Sequence, residues 1–355
     1  MNSLNKEEYI VEIMTPSDAP GVTNCMLRTY GRNYPTHEVY EPRRIAHLNK
    51  TGEMVSVVAK TKDGEVVGHY CIIIENVESR LGELGQAAVD PLHRKRGLMK
   101  RMRVLLEKKA SSMGLAGLYS APVTTHTYSQ RVNYEFGSRE CCIDLGYVPP
   151  GLTFTNIPGE DKYPQRETII VFFKHLKDDN IHKVYLPEDH YKIIEKIYSN
   201  LKTDRVFISE AEGSLSENTD FNYRISPKWA CSWIGIFKYG KDSKDVFKRT
   251  VEEILSKEID TIHLDLPLND LLTPSYCKFF ESLGFFFIGV IPNFLRGTDA
   301  LRLQYIVSQK IDFSRINLYS DFAGKLFDYI KSEYEKAESN KTVSLEKALE
   351  EKAGV

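Results

Sequence analysis

One stretch decides the fold of the first half of the chain: Gln86-Ala87-Ala88-Val89-Asp90-Pro91-Leu92-His93-Arg94-Lys95-Arg96-Gly97-Leu98-Met99. Residues 84–89 read as a buried strand of small residues, which Asp90-Pro91 closes. A helical pattern begins at Gly97 and ends at Gly114, with apolar residues at helical spacing: Leu98, Met102, Leu105, Leu106 and Met113. Its basic residues are predicted to lie mostly outward: Lys100, Arg101, Arg103, Lys108 and Lys109. The order is strand, basic loop and amphipathic helix.

This order predicts a phosphate-binding site. A helix amino terminus presents free backbone N–H groups, and the helix dipole favours negative charge there. Arg94, Lys95 and Arg96 add three cations, and Gly97 lets backbone approach an oxygen closely. A Walker loop would need Gly-Lys-Ser/Thr, whereas Leu98 and Met99 follow the glycine, and the three spaced glycines of a dinucleotide fingerprint are missing. Both of those readings are disfavoured.

The surrounding segments predict a mixed α/β fold with parallel and antiparallel strand pairs. Residues 54–60 and 66–74 are apolar runs separated by an Asp-Gly turn signal, so they should form a hairpin. Strands and helices alternate on both sides of the basic loop. The other predicted elements of this half are a strand at 9–13, a helix towards Tyr30, a strand at 117–121, a helix at 125–136 and strands at 139–145 and 168–173.

The second half weakly repeats this order, which suggests two copies of one fold. The strand at 261–266, the helix at 275–283 and Gly284 match the earlier strand, helix and Gly137. Two further strands follow, at 285–291 and 301–307. The predicted domains are residues 1–175, residues 181–330 and a charged carboxy-terminal tail, 331–355, read as a solvated helix or a frayed end.

Composition restricts the class of protein. With 355 residues and a net charge of −2, the chain suggests about two domains and no overall attraction to nucleic acid or to a membrane surface. The six cysteines include no Cys-x-x-Cys pair, and the amino terminus lacks a secretory signal. We therefore expect a reduced, soluble, cytoplasmic protein without a metal site.

The basic loop resembles the pyrophosphate loop of the GNAT acyltransferases, which has the pattern Arg/Gln-x-x-Gly-x-Gly/Ala after a strand that ends in Val-Asp-Pro. Arg94 and Gly97 match this pattern, whereas Met99 replaces the usual small residue and either crowds the loop or turns into the core. The order of strands and helices resembles the family over residues 7–175. The resemblance implies two GNAT-like domains in tandem, of which the second is degenerate.

The resemblance also implies a coenzyme A site. In the family the strand before the loop separates from its neighbour, and its backbone pairs with the pantetheine arm. Ala87, Ala88 and Val89 hold that position, although small residues also serve plain sheet packing. The loop from Arg94 to Met99 would hold the pyrophosphate of acetyl-CoA, and Ser129 and Asn133 would contact cofactor or substrate.

Three residues are candidates for proton transfer. Glu83, just before the cofactor strand, is either a base or a solvated strand-end carboxylate. His126 has three possible roles: a base, a residue that contacts the acceptor substrate, or a helix-start histidine that faces water. A tyrosine of the family that often protonates the thiolate corresponds to Tyr134, one residue out of register. Aligning Gly137 with Gly284 puts Thr273 and Glu281 at the equivalent positions, so the second half lacks this chemistry.

The sequence leaves the kind of function open between three readings. The first is an N-acetyltransferase that moves an acetyl group from acetyl-CoA to an amine by direct attack in a ternary complex. The second is a non-catalytic acyl-CoA sensor that acts through a protein partner, and the third is a purely structural double domain. The acceptor, a small molecule or a peptide amine, depends on the variable loops 31–53 and 147–166, and a homodimer stays open.

Overall fold

The computed structural model describes residues 8–32, 34–74, 78, 80–150, 165–177, 181–208, 215–307 and 309–353, with side chains up to residue 340. Most of the variable loop 147–166 lies outside this part of the chain. The described residues form two compact units. The first contains the residues up to 121 together with 150 and 174–177, and the second contains 122–149, 165–173 and the residues from 181 onwards. The domain bounds drawn from the sequence stay a prediction.

The first unit is a five-stranded sheet with helices on both faces. Its strands follow in chain order across the sheet and are antiparallel, except that the last two are parallel. The predicted hairpin is the second and third strand. The strands are β1 (Tyr9–Ile13), β2 (Met54–Thr61), β3 (Val66–Ile73), β4 (Leu81–Val89) and β5 (Gly117–Ser120), and the helices are α1 (Ala19–Tyr30), α2 (Pro42–Thr51) and α3 (Leu98–Ser112).

The core of the first unit lies on both faces of this sheet. On one face α3 buries an apolar stripe of Leu98, Met102 and Leu106, which lies against the strands. On the other face α1 and α2 bury a second cluster, which includes Met26 and Ile45. The helical spacing of the sequence predicts the stripe of α3.

One prediction for α3 is wrong, because Arg103 does not lie outward. Its side chain is fully buried, donates to Glu107 at 2.7 Å and to the Tyr70 hydroxyl at 3.1 Å, and so keeps its charge paired. A guanidinium can be buried when its N–H groups find acceptors. Met113, which the pattern placed inward, is 37% exposed, because it follows the last turn of the helix.

The second unit is built around a seven-stranded sheet. Its strand order is β7-β6-β13-β14-β12-β11-β10, with a separate parallel pair β8-β9. The elements are α4 (Tyr128–Glu135), β6 (Arg139–Val148), β7 (Glu167–His175), β8 (His182–Val184), α5 (Tyr191–Leu201), β9 (Arg205–Phe207), β10 (Asp220–Ser226), β11 (Cys231–Lys238), α6 (Ser243–Leu255), β12 (Thr261–Pro267), α7 (Thr273–Ser282), β13 (Phe286–Leu295), β14 (Thr298–Ile306) and α8 (Asp321–Ala353). The mixed α/β class predicted from the sequence is confirmed.

The order of elements repeats along the chain as the sequence suggested. The run β11, α6, β12, α7, β13 and β14 follows the same order as β4, α3, β5, α4, β6 and β7. In both runs the first strand is parallel to the next one, β11 with β12 and β4 with β5. The charged tail begins inside α8, where Tyr334 and Ala337 are buried, so its first turns pack against the protein.

Gly289 joins β6 to β13 within the second unit. It pairs with Cys142 at a backbone φ of 149°. A Cβ atom at this position would lie 2.4 Å from the Cys141 carbonyl oxygen and 2.5 Å from the Cys142 Cα. Only glycine therefore allows this close approach of the two strands.

Candidate active site

Strand β4 carries a bulge in its middle. The pairing of β3 with β4 shifts between His69↔Ala88 and Cys71↔Gly85, which leaves Gln86 as an extra residue. Gln86 has a φ of 53°, which is unusual for a residue other than glycine. A bulge of this kind bends a strand and turns one peptide unit out of the regular ladder.

The pairing of β4 with its parallel neighbour β5 ends before the bulge. The register of β4 with β5 runs over Leu81, Gly82 and Glu83 only, although β4 continues to Val89. The side chain of Ala88 packs in the core on the α1 side, whereas those of Ala87 and Val89 pack against the α3 side. These three residues thus use their side chains for packing.

A series of hydrogen bonds through His69, Ser56 and Asn49 ends on the Gln86 carbonyl of the bulge. Burial lowers the pKa of His69 to about 4, so the ring is neutral at pH 7 and carries one N–H. The Gln86 carbonyl can only accept, so this proton lies on Nδ1, 3.1 Å away. The Ser56 hydroxyl donates to Nε2 over 3.0 Å and accepts from the Asn49 amide over 3.1 Å.

Two tyrosines that the sequence does not indicate contact the backbone of the bulge. The Tyr30 hydroxyl, at the end of α1, donates to the Ala87 carbonyl over 2.5 Å. The Tyr34 hydroxyl is hydrogen-bonded to the Gln86 backbone, and its burial raises its pKa well above the usual value. The two rings lie 5.0 Å apart. Nothing in the sequence around Tyr30 and Tyr34 shows which strand each side chain contacts, so only the three-dimensional structure identifies this pair.

Asp90 fixes the start of the basic loop. Its carboxylate forms an ion pair with Arg28 and accepts from the Leu92 N–H over 3.0 Å, which caps the turn Pro91–His93. Burial alone would raise the pKa of Asp90, but Arg28 and the Leu92 N–H outweigh it and hold the pKa below the usual value. The loop therefore leaves the sheet in a defined direction.

The loop itself is open at its glycine. Gly97 has a φ of 70°, and a Cβ atom placed on it would meet nothing within 4 Å. Arg94, Lys95 and Arg96 are exposed beside it, and α3 begins with the buried Leu98. Met99 packs against the core of the first unit rather than over the loop. The amino terminus of α3 thus offers backbone N–H groups and cations to an anion.

The other predicted residues are divided between the units. Glu83, in β4, is half-buried and accepts from the Tyr119 hydroxyl over a long 3.5 Å. His126 and α4 belong to the second unit, where burial lowers the pKa of His126. The predicted residues of α4 are Ser129, Asn133 and Tyr134.

Two predicted residues of α4, Asn133 and Tyr134, make contacts within the second unit. The Asn133 amide donates to the Ser129 carbonyl over 3.0 Å, and Ser129 is exposed. The Tyr134 ring lies under the Arg139 guanidinium, 4.0 Å from its centre, and edge-on to Tyr319. Tyr134 is 36% exposed. Its ring is therefore held by packing within the second unit.

The counterpart of the basic loop in the second unit is covered. At the start of α6 a Cβ atom on Gly240 would lie 2.3 Å from the Asn218 backbone. Asp242 accepts from the Thr219 N–H over 2.9 Å and from its hydroxyl over 2.7 Å. The Lys241 N–H donates to the Ser216 carbonyl over 2.9 Å. Residues 216–219 thus cover Gly240 at the start of α6. The corresponding space at Gly97 is open.

The first unit thus places an open glycine loop with exposed cations between a bulged strand and the start of α3. Residues 20–137, about a third of the chain, match the family model "Acetyltransferase (GNAT) family". This part of the chain is a GNAT acetyltransferase domain. No curated protein matches the chain.

Solved structures of similar fold each align with about half of the chain. Ribosomal-protein-S5-alanine acetyltransferase from Vibrio fischeri is 19% identical, with 50% of this chain and 98% of that chain covered and a TM-score of 0.39. The ribosomal-protein-S18-alanine N-acetyltransferase from Escherichia coli is 16% identical, with 48% and 96% covered and a TM-score of 0.38. The protein yncA from Salmonella typhimurium, solved with its cofactor acetyl-CoA, is 11% identical, with 48% and 96% covered and a TM-score of 0.40.

Among the described helices, none combines the length and the apolar character that a membrane span requires.

Proposed function

We propose that this protein is an N-acetyltransferase that moves the acetyl group of acetyl-CoA to an amine. The observation that carries the proposal is the open loop at Gly97, which follows a bulged strand whose pairing with β5 ends at Glu83. The pantetheine arm would lie along the backbone of residues 87–89, as an added strand does. The pyrophosphate would lie at the amino terminus of α3, next to the cations at 94–96.

In the proposed reaction the amine nitrogen attacks the thioester carbonyl in a ternary complex. The C–N bond forms, the C–S bond breaks, a base takes the ammonium proton and an acid protonates the thiolate. Glu83 and His126 are the candidate bases, and Tyr134 is the candidate acid. The lowered pKa of His126 keeps its ring neutral near pH 7, as a base requires.

Tyr34 adds a residue to this scheme. Its hydroxyl lies on the Gln86 backbone at the bulge, beside the strand along which the acyl group would lie. The raised pKa keeps the phenol protonated, so Tyr34 is able to donate a hydrogen bond but not to act as a base. A hydrogen bond donated to the carbonyl oxygen would stabilise the negative charge that develops there during attack.

The experiment that tests the cofactor site is a calorimetric titration of acetyl-CoA into the full chain and into Gly97→Asp. We expect the variant to lose at least about tenfold in affinity, because a carboxylate at the loop repels the pyrophosphate. Gly52→Asp is the matched control, since Gly52 also has a positive φ of 83° and open space around it. The absence of binding to the wild-type chain would exclude both the enzyme and the sensor.

The second candidate function is a sensor that binds acyl-CoA without turnover and acts through a protein partner. The packing of the Tyr134 ring under Arg139 favours it, because that tyrosine already serves the structure of the second unit. Release of free coenzyme A thiol, followed with a panel of polyamines and peptides with free amino termini, separates the two candidates. Acceptor-dependent release supports the enzyme, and tight binding without release supports the sensor.

Residues 181–330 are proposed to form a degenerate GNAT-like domain. Its elements follow the order of the first half, but the start of α6 is covered by residues 216–219 and Gly240 has no open space above it. Thr273 and Glu281 replace the candidate catalytic residues of the first half. This domain would not bind a second cofactor.

A further inference from the structure

A cluster of three ligand-type side chains lies in the second unit. His190 precedes α5, and Cys277 and Glu281 are one turn apart on the same face of α7. One ligand atom from each side chain lies within 4.8 Å of the other two. His190 and Cys277 are buried, whereas Glu281 is half-buried and has room to adjust. The three residues supply a nitrogen, a sulfur and an oxygen.

The hydrogen bonds of His190 orient its ring towards this cluster. The Tyr329 hydroxyl donates to the Asp189 carbonyl over 3.0 Å. With its proton so directed, this hydroxyl accepts from the His190 Nδ1–H over 2.7 Å. Nε2 then carries no proton, and its lone pair points at a Glu281 carboxylate oxygen 2.5 Å away. Two lone pairs at this distance repel each other. A cation between them, either a proton or a metal ion, removes this repulsion.

The surroundings of Cys277 are negative. Its thiol is buried, and the carboxylates of Glu281, Asp189 and Glu333 are the charged groups around it. Lys336 pairs with Glu333 at 2.6 Å and balances one of these charges. A dication at this place would offset the remaining charge and displace the thiol proton, because thiolate is the form that binds metal.

We propose that His190 Nε2, the Cys277 sulfur and a Glu281 carboxylate oxygen bind one Zn²⁺ ion, with a water molecule as the fourth ligand. A mixed set of nitrogen, sulfur and oxygen donors suits zinc, whereas calcium and magnesium prefer oxygen alone. Tyr329 holds the imidazole from behind, as metal-bound histidines are usually held. This site is independent of acyl transfer and ties the start of α5 to α7.

The site needs one adjustment to accept the ion. Zinc bonds of about 2.0 Å to nitrogen and oxygen separate the two atoms by roughly 3.3 Å in a tetrahedron. The Glu281 carboxylate, which is half-buried, would therefore withdraw from His190 by somewhat less than 1 Å. His190 stays in place, because its ring is stacked on Phe287 at 4.7 Å.

The test uses the untagged, metal-stripped full chain, titrated with Zn²⁺ in a calorimeter and with Co²⁺ in a spectrophotometer. We expect one ion per chain, proton release on binding, and a thiolate-to-cobalt absorption band. Cys277→Ser should lose that band and weaken zinc binding by at least tenfold. Cys25→Ser, which removes an equally buried thiol in the first unit, should leave both unchanged.

Two results would overturn the proposal. One is a folded wild-type chain that binds no zinc, which leaves a protonated His190 paired with Glu281. The other is equal zinc binding by the wild-type chain and Cys277→Ser. If Cys277→Ser does not fold, Glu281→Gln replaces it, since the amide keeps the shape and removes the charge. Loss of zinc binding in that variant supports the site, and unchanged binding excludes it.

Discussion

His69 makes the stability of the first unit depend on pH. Its folded pKa of about 4 lies below the unfolded value of 6.5, so its contribution is present above pH 6.5 and is lost as the pH falls towards 4. Between pH 7 and pH 5 we expect a loss of about 2 kcal/mol. Urea unfolding at both pH values measures it. The His69→Asn variant should show a shallower dependence, and an unchanged slope would contradict the assignment.

Tyr34 and Tyr30 offer a matched pair of substitutions. Tyr34→Phe removes the hydroxyl on the bulge backbone, and we expect kcat to fall by about tenfold or more while the KM for acetyl-CoA changes little. Tyr30→Phe removes a hydroxyl that already donates to the Ala87 carbonyl, so its kcat should fall less. Initial rates of thiol release with a reactive amine give both constants. Equal effects of the two substitutions would deny Tyr34 a role in the reaction.

Some residues of the site can be predicted from the sequence, and others cannot. Gly97 was predicted at a helix start and lies there, because glycine spacing and helix periodicity are local properties. Tyr34 and His69 were missed, since their partner Gln86 is distant in sequence and its positive φ leaves no sequence signal. Arg103 was placed outward by its charge, and only Glu107, four residues later, hinted at its pairing.

At the scale of elements, the contact of β6 with β13 depends on Gly289. Gly289→Ala should destabilise the protein by about 3 kcal/mol or more, because its Cβ would lie within 3 Å of the β6 backbone. Gly324→Ala, in α8 with nothing within 4 Å, should instead raise stability by about 0.5 kcal/mol. Chemical denaturation of both variants measures the difference. Similar midpoints for the two variants would mean that the strands adapt to a side chain.

The elements themselves were largely predictable. The hairpin β2-β3 and the helix α3 follow from turn residues and apolar spacing, both of which act locally. Helix α4 begins three residues later than the sequence suggested, at Tyr128, so the predicted start at Thr125 is wrong. The segment before it makes long-range contacts instead, such as the hydrogen bond from the Thr124 N–H to the Thr168 carbonyl. A helix start is set by tertiary contacts of this kind as well as by its own residues.

For the whole molecule, the difference between the two glycine loops predicts the stoichiometry. The space above Gly97 is open, whereas Gly240 lies against the Asn218 backbone. We expect one acetyl-CoA per chain in a calorimetric titration, and weaker binding at this single site in Gly97→Asp. A stoichiometry of two would mean that residues 216–219 give way to a ligand, which would contradict the proposal of a degenerate domain at residues 181–330.

All six cysteines are buried, so the rate at which each reacts with a thiol reagent reports how often the structure around it opens. A thiol reagent reacts with an exposed thiolate, so alkylation under native conditions proceeds only when the surrounding structure opens. Cys25 and Cys71 record the first unit, and Cys141, Cys142, Cys231 and Cys277 record the second. Equal labelling rates at all six sites would mean that the chain opens as one cooperative body. Faster labelling of Cys25 and Cys71 would mean that the first unit opens by itself.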